Sequence, residues 1–179
     1  YLFAAIEGTA AEDLLDLPDS SFNKLTMTVG TDAGQSATAA QLNDLKDKTV
    51  ADNAFLTSFI TSITGNISDM NTFIENISDY VENADSSARA ESNYTFTPTS
   101  ATQSASDLNT LNTNVTNISL ENVDTISSSS LEDLGTLFTD IGDSEFTNAT
   151  GFTSIVVSDT TVDAGTLASR ISSYDTING

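Results

Sequence analysis

Three short blocks along this chain restate one another: Thr38-Ala39-Ala40-Gln41-Leu42-Asn43-Asp44-Leu45, Ser104-Ala105-Ser106-Asp107-Leu108-Asn109-Thr110-Leu111 and Val162-Asp163-Ala164-Gly165-Thr166-Leu167-Ala168-Ser169. Their central leucines, Leu42, Leu108 and Leu167, stand 66 and then 59 residues apart. Self-similarity at a roughly fixed spacing is the mark of a stacked array, in which each unit buries its apolar face only against its neighbours. The expected fold is therefore α/β and repeat-type, a solenoid-like stack of short strands each followed by a helix.

A second recurring mark is an isoleucine that leads through a short polar stretch into a helix-like block, at Ile6, Ile63 and Ile126, and again at Ile177. It interleaves with the first, so a period of about 60 residues holds two strand-then-helix half-units. Alternating runs such as Leu25-Thr26-Met27-Thr28-Val29, Asn93-Tyr94-Thr95-Phe96-Thr97 and Phe152-Thr153-Ser154-Ile155-Val156-Val157 suit strands with one buried face. Thr38, Ser104 and Asp163 then stand where a side-chain oxygen caps the first turn of a helix. Leu131, Leu134, Leu137 and Phe138 keep helical spacing and form one stripe. The longest helix is expected over Asp69 to Asn83, with a shorter one from Ala10 to Leu17 that Pro18 ends; Pro98 closes the Tyr94 strand. The stretch 84–91 lacks an apolar period and reads as a loop. It divides residues 1–90, a first pair of half-units, from residues 91–179, a second set continuing beyond the segment.

Composition narrows the function classes. With 26 acidic residues against 5 basic ones the formal charge is −21, a field that repels nucleic-acid phosphate and anionic lipid. Nucleic-acid binding is thereby set aside. There is no Cys, so disulfides and thiol chemistry are excluded, yet a stacked array needs no disulfides and export remains compatible. No run approaches the roughly 18 uninterrupted apolar residues that cross a bilayer, so direct membrane insertion is not expected. The opening Tyr1-Leu2-Phe3-Ala4-Ala5-Ile6 is too short and lacks the basic flank of a signal peptide. The expectation is a window from a longer exported chain whose signal lies outside it.

The phrases Gly8-Thr9-Ala10-Ala11-Glu12-Asp13, Ser106-Asp107-Leu108-Asn109-Thr110-Leu111, Ser158-Asp159-Thr160-Thr161-Val162-Asp163-Ala164 and Thr176-Ile177-Asn178-Gly179 resemble the tandem repeats of very large surface and exported proteins of cyanobacteria and other marine bacteria. The likeness covers about half the chain. It departs from the pattern around residues 53–91 and 142–151, where insertions or degenerate units stand. The resemblance implies an extracellular cell-surface or matrix protein and carries over no catalytic residue.

The side chains present agree with a non-enzymatic part. There is no His, which removes the commonest general base and transition-metal ligand, and no Gly-rich phosphate loop. Calcium is the most plausible specific ligand, because Asp and Asn oxygens in turns suit a hard cation that takes six to eight donors. The candidates are the Asp159, Asp163 turn and the loop carrying Asp143 and Glu145; the bland alternative for each is turn and cap hydrogen bonding. Asn66, Asn76, Asn93, Asn114, Asn117 and Asn148 head Asn-x-Ser/Thr sequons, which a composition rich in these residues also produces by chance.

The expected function is thus a structural or adhesive module of a bacterial surface, matrix or filament protein, acting by self-assembly. Its partners are neighbouring repeats or copies of itself, and edge strands such as Phe152 to Val157 would pair with the next unit or another chain. The alternative is a calcium-dependent carbohydrate-binding module whose partner is a surface polysaccharide.

Overall fold

A computed structural model of the 179-residue chain describes residues 5–8, 26–30, 35–48, 54–56, 60–77, 80–82, 87–88 and 91–178. The helix expected over Ala10 to Leu17 and the Pro18 stop lie outside these residues. The chain forms two compact units, Tyr1–Phe96 and Thr97–Gly179.

In the first unit the order is β1 (Ala5–Gly8), β2 (Thr26–Val29), β3 (Gln35–Thr38), α1 (Ala39–Lys48), β4 (Ala54–Leu56), β5 (Ile60–Gly65), α2 (Ile67–Glu75), β6 (Tyr80–Glu82) and β7 (Ser87–Ala88). A 3-10 turn at Glu91–Asn93 precedes β8 (Thr95–Pro98), within which the chain passes to the second unit. Strands β1, β2, β4 and β6 pair in parallel and β7 adds antiparallel; β3 pairs in parallel with β5. Parallel neighbours need a long crossover between them, and α1 lies on the path from β3 to β5.

The second unit runs β9 (Thr102–Ser104), α3 (Ala105–Asn114), β10 (Ile118–Ser119), β11 (Thr125–Ser129), α4 (Leu131–Gly142), β12 (Phe146–Thr147), β13 (Ser154–Val157) and α5 (Ala164–Asn178). Its main sheet is β9, β11, β13, parallel throughout with β11 in the middle, and β10 pairs in parallel with β12. The fold is α/β, with parallel sheets and strands alternating with helices.

Each helix begins where its sequence permits. Asn66, Ser104 and Ser130 hold extended backbone, and their side-chain oxygens accept the N–H of Asp69, Asp107 and Asp133 at 2.8, 3.1 and 3.0 Å. Thr38 Oγ1 accepts from Gln41 N and Asp163 Oδ1 from Thr166 N, so the three caps expected from sequence are all in place. An acidic residue in the first turn of α2, α3 and α4 also faces the positive end of the helix dipole.

Helix α2 is shorter than expected. It stops at Glu75 instead of continuing to Asn83, and Tyr80–Glu82 is a strand. Asn76 ends it: its Nδ2 donates to the Thr72 carbonyl while its Oδ1 accepts from Lys46 Nζ at 2.9 Å. A short amide that bonds the terminal carbonyls competes with the next helical turn, and Ser78 and Asp79 are poor propagators. The apolar period continued past a point where the polar residues had already broken the helix.

Cores are aliphatic with a few aromatics. In the first unit Leu42, Leu45, Ile60, Ile63, Met70, Phe73, Tyr94 and Phe96 are fully buried. In the second, Leu108, Leu111, Ile118, Ile126, Leu134 and Leu137 fill the same role, and the stripe Leu131, Leu134, Leu137, Phe138 is buried along its length.

Candidate functional site

Counting from the cap puts the five helices in one frame. Leu42, Met70, Leu108, Leu134 and Leu167 each stand four residues after Thr38, Asn66, Ser104, Ser130 and Asp163. The residue one further on faces a neighbouring helix in both units. Asn43 of α1 donates from Nδ2 to the Asp69 carbonyl of α2 at 2.9 Å, and Asn109 of α3 donates to the Asp133 carbonyl of α4 at 3.0 Å. Three residues later the match repeats: Lys46 reaches Asn76 Oδ1, and Asn112 reaches Asp140 Oδ2 at 3.1 Å. Asn76 and Asp140 both stand ten residues after their caps. Two helix pairs are therefore joined through the same positions. The repeated blocks carried the signal, since Asn43 and Asn109 align in them, although sequence reading singled out only the leucines.

These amides are expected to contribute alike. Replacing Asn43 or Asn109 with alanine removes one side-chain bond to a carbonyl, and each change should cost about 1 kcal/mol in denaturant unfolding. A loss at one position and none at the other would mean that the two pairs are not built the same way.

Helix starts are also completed from further along the chain. Ala105 N, at the first turn of α3, donates to Ser129 Oγ at 2.9 Å, and Leu131 N, at the first turn of α4, donates to Asp159 Oδ2 at 2.7 Å. Such donors have no partner inside their own helix, so an acceptor from the end of the following strand, Ser129, or from the loop just beyond it, Asp159, satisfies them.

The third helix pair, α4 with α5, departs from this scheme. Position five of α4 is Gly135, and Arg170 of α5 lies over it with Nε donating to the Leu131 carbonyl at 3.0 Å. A Cβ at residue 135 would stand 2.2 Å from the Arg170 guanidinium carbon, so the glycine clears the path of that side chain. Tyr174 adds a hydrogen bond from its hydroxyl to the Phe152 carbonyl and a ring contact with Phe138 at 6.0 Å.

The four acidic residues singled out as calcium candidates fall in separate places. Asp143 is the C-cap of α4, and Glu145, just beyond it, accepts from Asn112 Nδ2. Asp159 is held at the opposite end of α4, and twelve helical residues separate the two ends by about 18 Å. Asp163 caps α5. Among the described residues, no three acidic side chains are grouped so as to hold an ion. Asp159, Asp163 and Glu145 each accept a protein N–H group.

Electrostatics follow these contacts. Burial pushes the Asp140 carboxyl above its ordinary range, against the Asn112 hydrogen bond and with help from the Glu145 and Asp143 charges. The Thr166 backbone N–H and then its hydroxyl hold Asp163 below the ordinary range. A depressed carboxyl contributes stability above its unfolded value, near pH 3.9, and loses it as pH falls through the folded value. The difference in melting temperature between pH 7 and pH 3 should accordingly shrink in Asp163→Asn. An unchanged difference would remove Asp163 from the acid response.

Among the sequon asparagines, Asn66, Asn76 and Asn148 use the side-chain nitrogen as a donor, to Asp69 Oδ2, the Thr72 carbonyl and Ser119 Oγ. No helix among the described residues is long and apolar enough to cross a membrane.

One open surface remains. A groove of about 330 Å³ in the second unit is lined by Leu131, Leu134, Phe138, Ile155, Leu167 and Ile171, with others of the same elements. In its lining Ile171 is 52 % exposed, and Val156, between Ile155 and Val157 on the other face of β13, is 47 % exposed; these are the large apolar side chains most open to solvent among the described residues. Compared with protein-family models, curated protein sequences and solved structures, the chain matches none.

Proposed function

We propose that this chain is a non-enzymatic structural or adhesive module of an extracellular surface, matrix or filament protein, built as a solenoid-like stack of strand–helix units and acting by self-assembly. The observation that carries the reading is the shared frame of the helices: Asn43 and Asn109, then Lys46 and Asn112, reach the next helix from the same positions. Recurrence of side chain, position and target is what a chain of nearest-neighbour units requires. The likeness to tandem repeats of large exported bacterial proteins points the same way, and the acidic surface suits a salt-tolerant exterior.

The test is sedimentation velocity of the whole 179-residue chain across a hundredfold range of micromolar concentration in physiological salt. Growth of the sedimentation coefficient with concentration is the expected result. A single monomeric species throughout would sink the assembling role.

A further inference from the structure

We propose that the outer face of β13 and α5 is an interface to a second copy of this chain, which lays an edge strand beside β13 and inserts apolar side chains into the adjoining groove. The inference rests on the self-assembly reading and assigns it a face and an occupant. Strand β11 has parallel neighbours on both edges, β9 and β13, while β13 ends the sheet with one edge unpaired among the described residues. Such an edge presents a row of backbone donors and acceptors to another strand.

The side chains around that edge are apolar at positions that the preceding strand and helix bury. Ile126 of β11 is fully buried, whereas Ile155, its partner in register on β13, is only half-buried. Phe138, eight residues after the α4 cap, is 4 % exposed; Ile171, eight after the α5 cap, is 52 % exposed. Leu42, Met70, Leu108 and Leu134 are all buried, and Leu167 at the same count is half-buried. The sequence maintains a core face here, and a further strand and helix of the same build would cover it.

Charge selects the occupant. Residues lining the groove include no acid and a single cation, Arg170, in a chain of net charge −21. Two copies repel each other over most of their surface, so the acid-free apolar groove is where they can approach, and Arg170 in its lining favours an acidic visitor. A second copy of this chain supplies both the acidic surface and parallel edge strands.

Sedimentation velocity of the full chain tests the face through Val156→Asp and Ile171→Asp, with Thr116→Asp as a control of equal added charge at another exposed site. Val156→Thr with Ile171→Ser provides a milder pair, and circular dichroism verifies that each variant is folded. The expected result is association weakened at least tenfold by the face variants and changed less than twofold by the control. Association that persists unchanged in folded face variants overturns this interface and leaves the assembly reading standing. A monomeric wild type overturns both. A monomeric wild type that binds an apolar dye in the groove, with binding lost in Ile171→Asp, gives the groove to a small apolar ligand and likewise overturns the proposal.

Discussion

Replacing Phe73 with alanine is expected to cost about 3–5 kcal/mol of stability. Phe73 is fully buried on α2 and meets two other rings, Tyr94 at 5.8 Å edge-to-face and Phe96 at 6.3 Å, which touch each other at 6.3 Å. Removing the ring leaves a void that the two remaining aromatics, both also buried, can close only by leaving their own positions. Edge-to-face pairs add about 0.5–1.5 kcal/mol each beyond burial, which places this site toward the upper end of the range. Urea unfolding followed by circular dichroism measures the loss. A change below about 1 kcal/mol would show that the three rings are not the centre of the first unit.

The second large effect is a contrast between two leucines that hold the same place after their caps. Leu108→Ala should cost about 2–5 kcal/mol, because Leu108 is fully buried among well-packed neighbours. Leu167→Ala should cost about 1 kcal/mol, because Leu167 is half-buried and gives up only part of a transfer that is worth about 1.5–3 kcal/mol when complete. Equal losses measured in dilute solution would mean that the face around α5 is already covered within the monomer. The contrast should narrow at concentrations where copies associate, since the same leucine would then be removed from water.

The local rules of the fold were written plainly in the sequence. Thr38, Ser104 and Asp163 cap helices because a short oxygen-bearing side chain ahead of an apolar period has few other uses. The strands near Thr26, Thr95 and Ser154 were visible as alternating runs, and Leu131 through Phe138 as a stripe. The departure from the sequence pattern at α2 comes from competition at short range. The apolar spacing from Met70 to Val81 is helical, but Asn76 bonds Thr72 and Lys46 and stops the helix. Long-range contacts had no local signature: nothing in Ser129 or Asp159 reveals that each serves a helix start 24 or 28 residues earlier. Asp159 shows the same ambiguity, since in sequence an acceptor in a turn looks alike whether a cation or an N–H fills it. The open edge of β13 depends on which strands pair, and pairing order follows from topology instead of composition.

The acceptors that Ser129 and Asp159 lend to Ala105 N and Leu131 N also bear on how the protein is made. A ribosome delivers the chain from its amino end, and α3 can emerge complete while Ser129 is still inside the exit tunnel. Until that serine emerges, the first turn of α3 holds only its own Ser104, and α4 waits in the same way for Asp159. The first turns of α3 and α4 are thus completed by residues synthesised after them, so neither helix start is fully satisfied until the chain 24 or 28 residues further on has been made.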